Sequence, residues 1–239
     1  MLQNNLKKLN DDGFVIIRNL IPKKNIPSIK KEINKISKVL IKNYGSPYVH
    51  LTKDLKLNTA HHLNKIFPKS KVITLSENIK MKILLEKKFK EKMSMNNFEI
   101  FAKPNKTGKR VPFHQDNFYW NIKNDKAANV WIALNKVDKN NGGLIYYKGS
   151  HKLGLKTHSA SNIPGSSQEI KAETLKKINL ELAQPKLNPG DCIIHHCNVI
   201  HGSKANKSNR ARLAIAIRFI SKSAKIDKKK MHIYLKKLK

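Results

Sequence analysis

The sequence predicts a mainly β fold with helices packed on its outside. Two observations carry this. Helical periodicity is confined to residues 1–96, and from residue 97 onward short apolar runs alternate with turn signals. Asp11-Asp12-Gly13 reads as a turn, and Phe14-Val15-Ile16-Ile17-Arg18 after it as a short strand. Ile29, Ile33, Ile36 and Leu40 recur at helical spacing, with Asn25 and Pro27 near the start. A second helix is expected over 76–93, with Ser76 as its N-cap and Ile79, Ile83 and Leu84 on one face. The strand candidates are 98–103, 111–120, 129–135, 144–148, 191–196 and 212–219.

Domain organisation follows from the same pass. One domain is expected over 1–221, helical over residues 1–96 and with a β core over 97–221. Residues 154–189 lack strong periodicity, and so long an insertion suits a lid or substrate loop. The tail 222–239 holds eight Lys and one Asp among Met231, Ile233, Tyr234, Leu235 and Leu238, which suits a solvated terminal helix. At 239 residues the chain buries enough surface to fold without disulfides.

Charge is the most conspicuous property, with 49 Lys+Arg against 16 Asp+Glu and a net of +33. Only Arg18, Arg110, Arg210, Arg212 and Arg218 are arginine, whereas specific phosphate and base readers rely on the guanidinium fork. Lys, Asn and Ile all have AT-rich codons, so compositional drift accounts for much of the charge. No nucleic-acid partner is expected on this ground. No apolar run approaches ~18 residues, so no transmembrane segment is expected. Met1-Leu2-Gln3-Asn4-Asn5 has no apolar h-region, and Cys192 and Cys197 make no disulfide framework, which together suggest the cytoplasm.

The chemistry lies in two stretches. In Val111-Pro112-Phe113-His114-Gln115-Asp116, read as a strand, His114 and Asp116 point to one face. Such a pair forms two-thirds of the facial triad of non-haem iron sites. The second stretch, Pro189-Gly190-Asp191 through His201-Gly202-Ser203, ends a strand with a further histidine. Eleven residues later Arg212 opens a run in which Leu213, Ile215, Ile217 and Phe219 share one face. Arg212, Ala214, Ala216 and Arg218 share the other, a poor core but a good lining for an anion. His195, His196, Cys192 and Cys197 suggest zinc at first sight, yet no second cluster completes a tetrahedral site. His195 and His196 are read as packed or solvent-facing strand residues.

Taken in order, these motifs resemble the phytanoyl-CoA dioxygenase family of Fe(II)/2-oxoglutarate-dependent oxygenases. The resemblance runs from about residue 10 to 219. It includes Asp12-Gly13-Phe14, Lys103-Pro104, His114-Gln115-Asp116, Trp131, Asn141-Gly142-Gly143, Gly149-Ser150-His151, Gly190-Asp191, His201-Gly202-Ser203 and Arg212. It implies a double-stranded β-helix, the jelly-roll or cupin-like core. It also implies His114, Asp116 and His201 as the metal ligands and Arg212 as the partner of the distal carboxylate of 2-oxoglutarate. Trp131 and Ser203 would line the same pocket. Fe(II) is then the cofactor, with 2-oxoglutarate and O2 as co-substrates. The expected reaction is hydroxylation of an unactivated C–H of a small organic or acyl substrate, with release of succinate and CO2. Halogenating members of the family lack the carboxylate that Asp116 supplies. Phe118, Tyr119, Trp120 and Arg218 are candidate substrate-lining residues, and the Lys excess would suit an anionic substrate. The alternative is a non-catalytic basic binding module for nucleic acid or an anionic membrane on an oxygenase scaffold. A nucleic-acid demethylase of the same fold is a weaker fit, because Asn206-Lys207-Ser208-Asn209-Arg210-Ala211-Arg212 lacks the second Arg-rich signature of those enzymes.

Overall fold

A computed structural model describes residues 1–46 and 48–230. The N-terminal region comprises α1 (Leu2–Asp11), β1 (Phe14–Ile17), α2 (Ile26–Asn43), β2 (Val49–Leu51), β3 (Leu57–Ala60), α3 (Leu63–Ile66) and α4 (Ile79–Phe89). There follow β4 (Met93–Lys103), β5 (Val111–His114), α5 (Asp116–Trp120), β6 (Ala127–Ala133) and β7 (Leu144–Tyr147). After them come β8 (Ser159–Ile163), β9 (Ser166–Glu169), α6 (Ala172–Lys176), β10 (Leu182–Ala183), β11 (Cys192–His196), β12 (His201–Ser203) and β13 (Arg212–Ser221).

Among the described residues the strands form a seven-stranded sheet, β1-β11-β6-β13-β4-β3-β2, a four-stranded sheet, β10-β7-β12-β5, and the hairpin β8-β9. Pairing is antiparallel throughout, for instance β13 with both β4 and β6. Two facing antiparallel sheets with helices on one outer side are the jelly-roll arrangement that the motifs imply.

The sheets divide the apolar residues into two layers. Ile132, Ile194, Ile215, Ile217 and Phe219 face the helices, where Ile33 and Leu40 of α2 and Met81 and Leu84 of α4 meet them. On the opposite face Trp131, Ala214, Ala216 and Ile193 meet Tyr146 and Leu144 of the smaller sheet. The alternation read along 212–219 is therefore present, with the small residues lining the space between the sheets. α2 buries Ile26, Ile29, Ile33, Ile36 and Leu40, the spacing its sequence shows.

Two local readings need correction. The run 111–120 is not one strand: β5 ends at His114 and α5 begins at Asp116. Asn117 causes the change. Its backbone N–H donates to the Cys197 carbonyl at 2.9 Å, and its amide closes onto Ile122 and Asp125, pulling the chain into a single helical turn. The helix expected over 76–93 starts later, because Asn78 rather than Ser76 is the cap and accepts from the N–H groups of Lys80 and Met81. Its buried face is Met81, Leu84, Leu85 and Phe89, while Ile79 and Ile83 are exposed. Residues 154–189, which lack strong periodicity, carry the hairpin β8-β9, α6 and the short β10. α1 is an addition, with Leu9 fully buried and Leu2 and Leu6 packed on the core. The reading of the tail at Met231, Ile233, Tyr234, Leu235 and Leu238 lies outside the described residues.

One turn fixes how the edge strand β1 joins the sheet. Gly190 has φ +92, and a Cβ there would lie 2.1 Å from the Ile21 carbonyl oxygen. Beside it the Asp191 carboxylate accepts from the Asn19 and Asn188 N–H groups at 2.9 Å and from Arg18 at 2.7 Å. Gly190→Ala meets both a backbone clash and an unfavourable φ, so a loss of about 2 kcal/mol or more is expected. Thermal unfolding checks this, and a Tm within a degree of the parent would contradict it.

Burial also sets an acid limit. His151 and His158 are pushed down to about 4 and His196 to about 3, in each case chiefly by burial. In the unfolded chain such rings protonate near pH 6.5. Between that pH and about 4 the unfolded state therefore binds more protons, and stability falls as the pH falls. Urea unfolding from pH 7 to 4 should show this decline, and a flat profile would refute it.

Candidate metal centre

His114 ends β5 and His201 opens β12, and the two are directly paired across the antiparallel ladder. Cross-strand partners project side chains to one face, so the rings lie with centroids 4.4 Å apart although 87 residues separate them in sequence. Asp116, the first residue of α5, adds its carboxylate from the adjoining turn. Ligand atoms of His114, Asp116 and His201 all fall within 4.8 Å of one another, and all three residues are buried.

Hydrogen bonds decide which atoms face the centre. His114 Nδ1 lies 2.9 Å from the Pro112 carbonyl and His201 Nδ1 3.1 Å from the Val199 carbonyl. A carbonyl can only accept, so each Nδ1 carries the proton and each Nε2 keeps its lone pair for the centre. Asp116 Oδ2 accepts from Asn129 Nδ2 and His195 Nε2, both at 3.1 Å. That leaves Oδ1 facing His114 Nε2 at 3.5 Å and His201 Nε2 at 3.8 Å. Burial alone would raise the Asp116 carboxyl, but its histidine surroundings, with His195 donating to Oδ2, hold it well below the usual range. Burial pushes His201 well down, which keeps its ring neutral. Two imidazole nitrogens and one carboxylate oxygen, ionised and preoriented, suit a divalent metal that keeps open positions.

Sequence reading misses His195. It is neither an idle strand residue nor a member of the triad. Its Nε2–H orients Asp116, while its Nδ1 accepts from the Tyr146 hydroxyl at 3.0 Å. A histidine pointing inward from a strand has no signature in one sequence. His196 turns to the other side, near His151 at 5.2 Å between centroids, and His151 Nε2 donates to the Asn10 carbonyl. Cys192 and Cys197 are buried free thiols whose pKa burial raises, so they stay protonated.

A second group lies beside the triad. Arg212 is buried, its guanidinium is 5.0 Å from the Trp131 ring, and its Nε has no hydrogen-bond partner. Burial lowers it to about 9. In the neighbouring strand Lys103 stands opposite Arg212, only 1% exposed. Its Nζ donates to Ser203 Oγ and the Lys204 carbonyl, both at 2.6 Å. Burial, and then the Arg212 charge, push Lys103 well below its ordinary value. A buried guanidinium with an orphaned donor, a buried lysine amine beside it and no carboxylate against the guanidinium among the described residues form a place for an anionic group. Arg212 thus lies against Trp131 and beside Lys103, which in turn bonds Ser203. The Lys103-Pro104 pair is the available signal, hidden by the abundance of lysine.

The segment expected as a lid touches the site from above. Gln168 exchanges hydrogen bonds through its backbone with the Tyr119 hydroxyl, and Ile170 N–H donates to the Phe113 carbonyl. Phe118 stacks on His158 at 4.2 Å. The turn of β8-β9 approaches the large sheet, where a Cβ on Gly165 would lie 2.7 Å from Thr59 Oγ1.

Comparison with known proteins agrees with this geometry. The human "Phytanoyl-CoA dioxygenase, peroxisomal" is 26% identical over 232 residues, covering 88% of this chain and 66% of its own length. The chain therefore spans just under two thirds of that relative. Among solved structures, EctD from S. alaskensis with bound Fe superposes with a TM-score of 0.78 at 15% identity, over 94% of this chain and 78% of that one. The non-heme alpha ketoglutarate dependent epimerase SnoN from nogalamycin biosynthesis gives 0.70 at 18% identity, over 93% and 84%. These two share the fold. No helix among the described residues is long and apolar enough to cross a membrane. The model of the family described as phytanoyl-CoA dioxygenase (PhyH) matches residues 9–214, from the turn before β1 to the strand that carries Arg212, and the chain belongs to that family.

Proposed function

We propose that the chain is an Fe(II)- and 2-oxoglutarate-dependent dioxygenase that hydroxylates an unactivated C–H of a small organic or acyl substrate. The carrying observation is the convergence of the His114–Asp116–His201 donors with a neighbouring pair of buried cations that lack a counter-anion. His114 Nε2, His201 Nε2 and Asp116 Oδ1 would hold the iron. Arg212, supported by Lys103 and Ser203, would grip the distal carboxylate of 2-oxoglutarate over Trp131. The name of EctD with bound Fe and that of SnoN as alpha ketoglutarate dependent support both choices.

When bound, the iron and co-substrate supply oxygen activation coupled to conversion of 2-oxoglutarate to succinate and CO2. The chain's own residues do the rest. His195 and Asn129 fix the carboxylate rotamer, so that one oxygen faces the metal. Pro112 and Val199 carbonyls fix the ring tautomers. Segment 154–189 would act as a lid that excludes water. The presence of Asp116 supports hydroxylation rather than halogenation. A small-molecule substrate fits this site, whereas the alternative of a non-catalytic basic module leaves the buried cations unexplained. The buried thiols of Cys192 and Cys197 suit a reducing compartment, and the cytoplasm is the one proposed.

Two sets of variants test this reading. His114→Ala and Asp116→Ala should each abolish Fe(II)-dependent succinate formation, and full turnover in both would sink it. Arg212→Met should raise the KM for 2-oxoglutarate by about 100-fold, the worth of a buried charge-assisted pair. Lys103→Met should raise it by about tenfold. A role for His195 through Asp116 predicts that His195→Phe weakens metal binding by about 10- to 100-fold. Metal titration by calorimetry reads this directly, and unchanged affinity would remove His195 from the site.

A further inference from the structure

Arg218 has no role in the chemistry above, yet it is the second arginine on the site-facing side of β13. Its guanidinium lies 5.1 Å from the Trp120 ring, and its Nε is buried without a hydrogen-bond partner. Six residues of extended strand separate it from Arg212, about 20 Å between Cα atoms. Ala214 and Ala216 between them are fully buried on the inner face of the sheet. One small ligand cannot span both grips, so Arg218 is not a second hold on the co-substrate.

Each nearby carboxylate has an oxygen bonded elsewhere, and no ion pair joins either to Arg218 among the described residues. Glu99 and Asp116 both act on Arg218 at a distance. However, Glu99 Oε1 bonds His61 Nδ1 at 2.6 Å and Asn97 Nδ2 at 3.0 Å. Asp116 is held by Asn129 and His195 on one oxygen and faces the two triad histidines with the other. In the sheet register Arg218 stands between Asn97 on one side and Asn129 on the other. Asn129 Oδ1 is itself a buried acceptor with no donor, so the two side chains do not satisfy each other. Arg218 turns instead toward Trp120, the last residue of α5, whose first residue is Asp116. The free fork therefore lies at the Asp116 end of the site, away from the co-substrate grip.

We infer that Arg218 anchors the substrate, and that the substrate class is a small organic acid whose carboxylate sits on the Arg218 fork while its carbon chain reaches the metal. This rests on the oxygenase reading above and specifies its substrate. A planar carboxylate matches the side-on pair of Nε and one Nη of a guanidinium lying near an aromatic ring. Tyr119 of α5, next to Trp120 in sequence, stands edge-on to His114 at 5.7 Å between centroids. A neutral substrate of the same shape would leave the buried Nε unpaired, so selection is for charge as well as form.

The test uses the full chain loaded anaerobically with Fe(II) and saturating 2-oxoglutarate, so that the Arg212 grip is filled. Butyrate, hexanoate and phenylacetate are each titrated by calorimetry against their primary amides. At least one carboxylate should bind tenfold or more tightly than its amide. Arg218→Met should reduce that preference below twofold, and Arg218→Lys should retain some of it, with circular dichroism confirming that both variants fold. Equal binding of every acid–amide pair by the parent protein, or a preference that survives in Arg218→Met, overturns the assignment. A crystal structure of the parent complex with the preferred acid gives a check that needs no variant. The carboxylate against Arg218 supports the inference, and a carboxylate placed elsewhere overturns it. Failure of the parent protein to bind 2-oxoglutarate in the preliminary titration would instead refute the oxygenase reading itself.

Discussion

The in-register meeting of two strand ends, His114 on β5 and His201 on β12, is the constraint on which the rest of the site depends. Because antiparallel partners share a face, the pairing places two imidazoles together without help from any loop. It also leaves a third position to be filled from whatever follows β5. The chain fills it with a helical turn, so that Asp116 reaches back over the strand end. The triad atoms that are not aimed inward, Nδ1 of His114 and His201 and Oδ2 of Asp116, are tied down by carbonyls, by Asn129 or by His195. Rigidity of this kind is what a metal site with open positions needs, since the protein ligands must hold their geometry while other positions exchange.

Around that centre the large sheet is used asymmetrically. Its helix-facing side carries large branched residues and supplies the apolar core. Its inner side carries alanines and a few polar groups beside a second apolar cluster around Trp131 and Tyr146. β13 shows both uses in a single strand. Burying cations on the inner face is costly unless an anion accompanies them. The cost is accepted at Lys103 and Arg212 and, less completely, at Arg218.

Much of this is legible in the sequence, for identifiable reasons. Alternation along 212–219 reveals its two faces directly, because a strand has a fixed period. α2 is equally plain, with five apolar residues on one stripe against lysines elsewhere. Spaced motifs lead to the candidate site, yet a strand geometry for Asp116 is wrong in detail. The effect of Asn117 on chain direction depends on Cys197, Ile122 and Asp125, and no local pattern announces it. α4 misleads because Ile79 and Ile83 are apolar but exposed, so periodicity alone picks the wrong stripe. Lys103 and His195 escape notice because their environments are tertiary. A buried lysine among 49 basic residues looks like any other until a neighbouring strand places Arg212 beside it.

Gln115 stands between two members of the triad and is fully buried. Its amide nitrogen donates to the Gly154 and Asn198 carbonyls, its oxygen accepts from the Lys156 N–H, and its own N–H donates to His158 Nε2. One residue thus reports the position of the covering loop to its neighbours on either side. If residues 154–158 move outward, three of those four bonds go unmade in a place that water does not easily reach. Displacement of residues 154–158 and loosening of the strand end at His114 are therefore a single mechanical event, coupled through one buried amide.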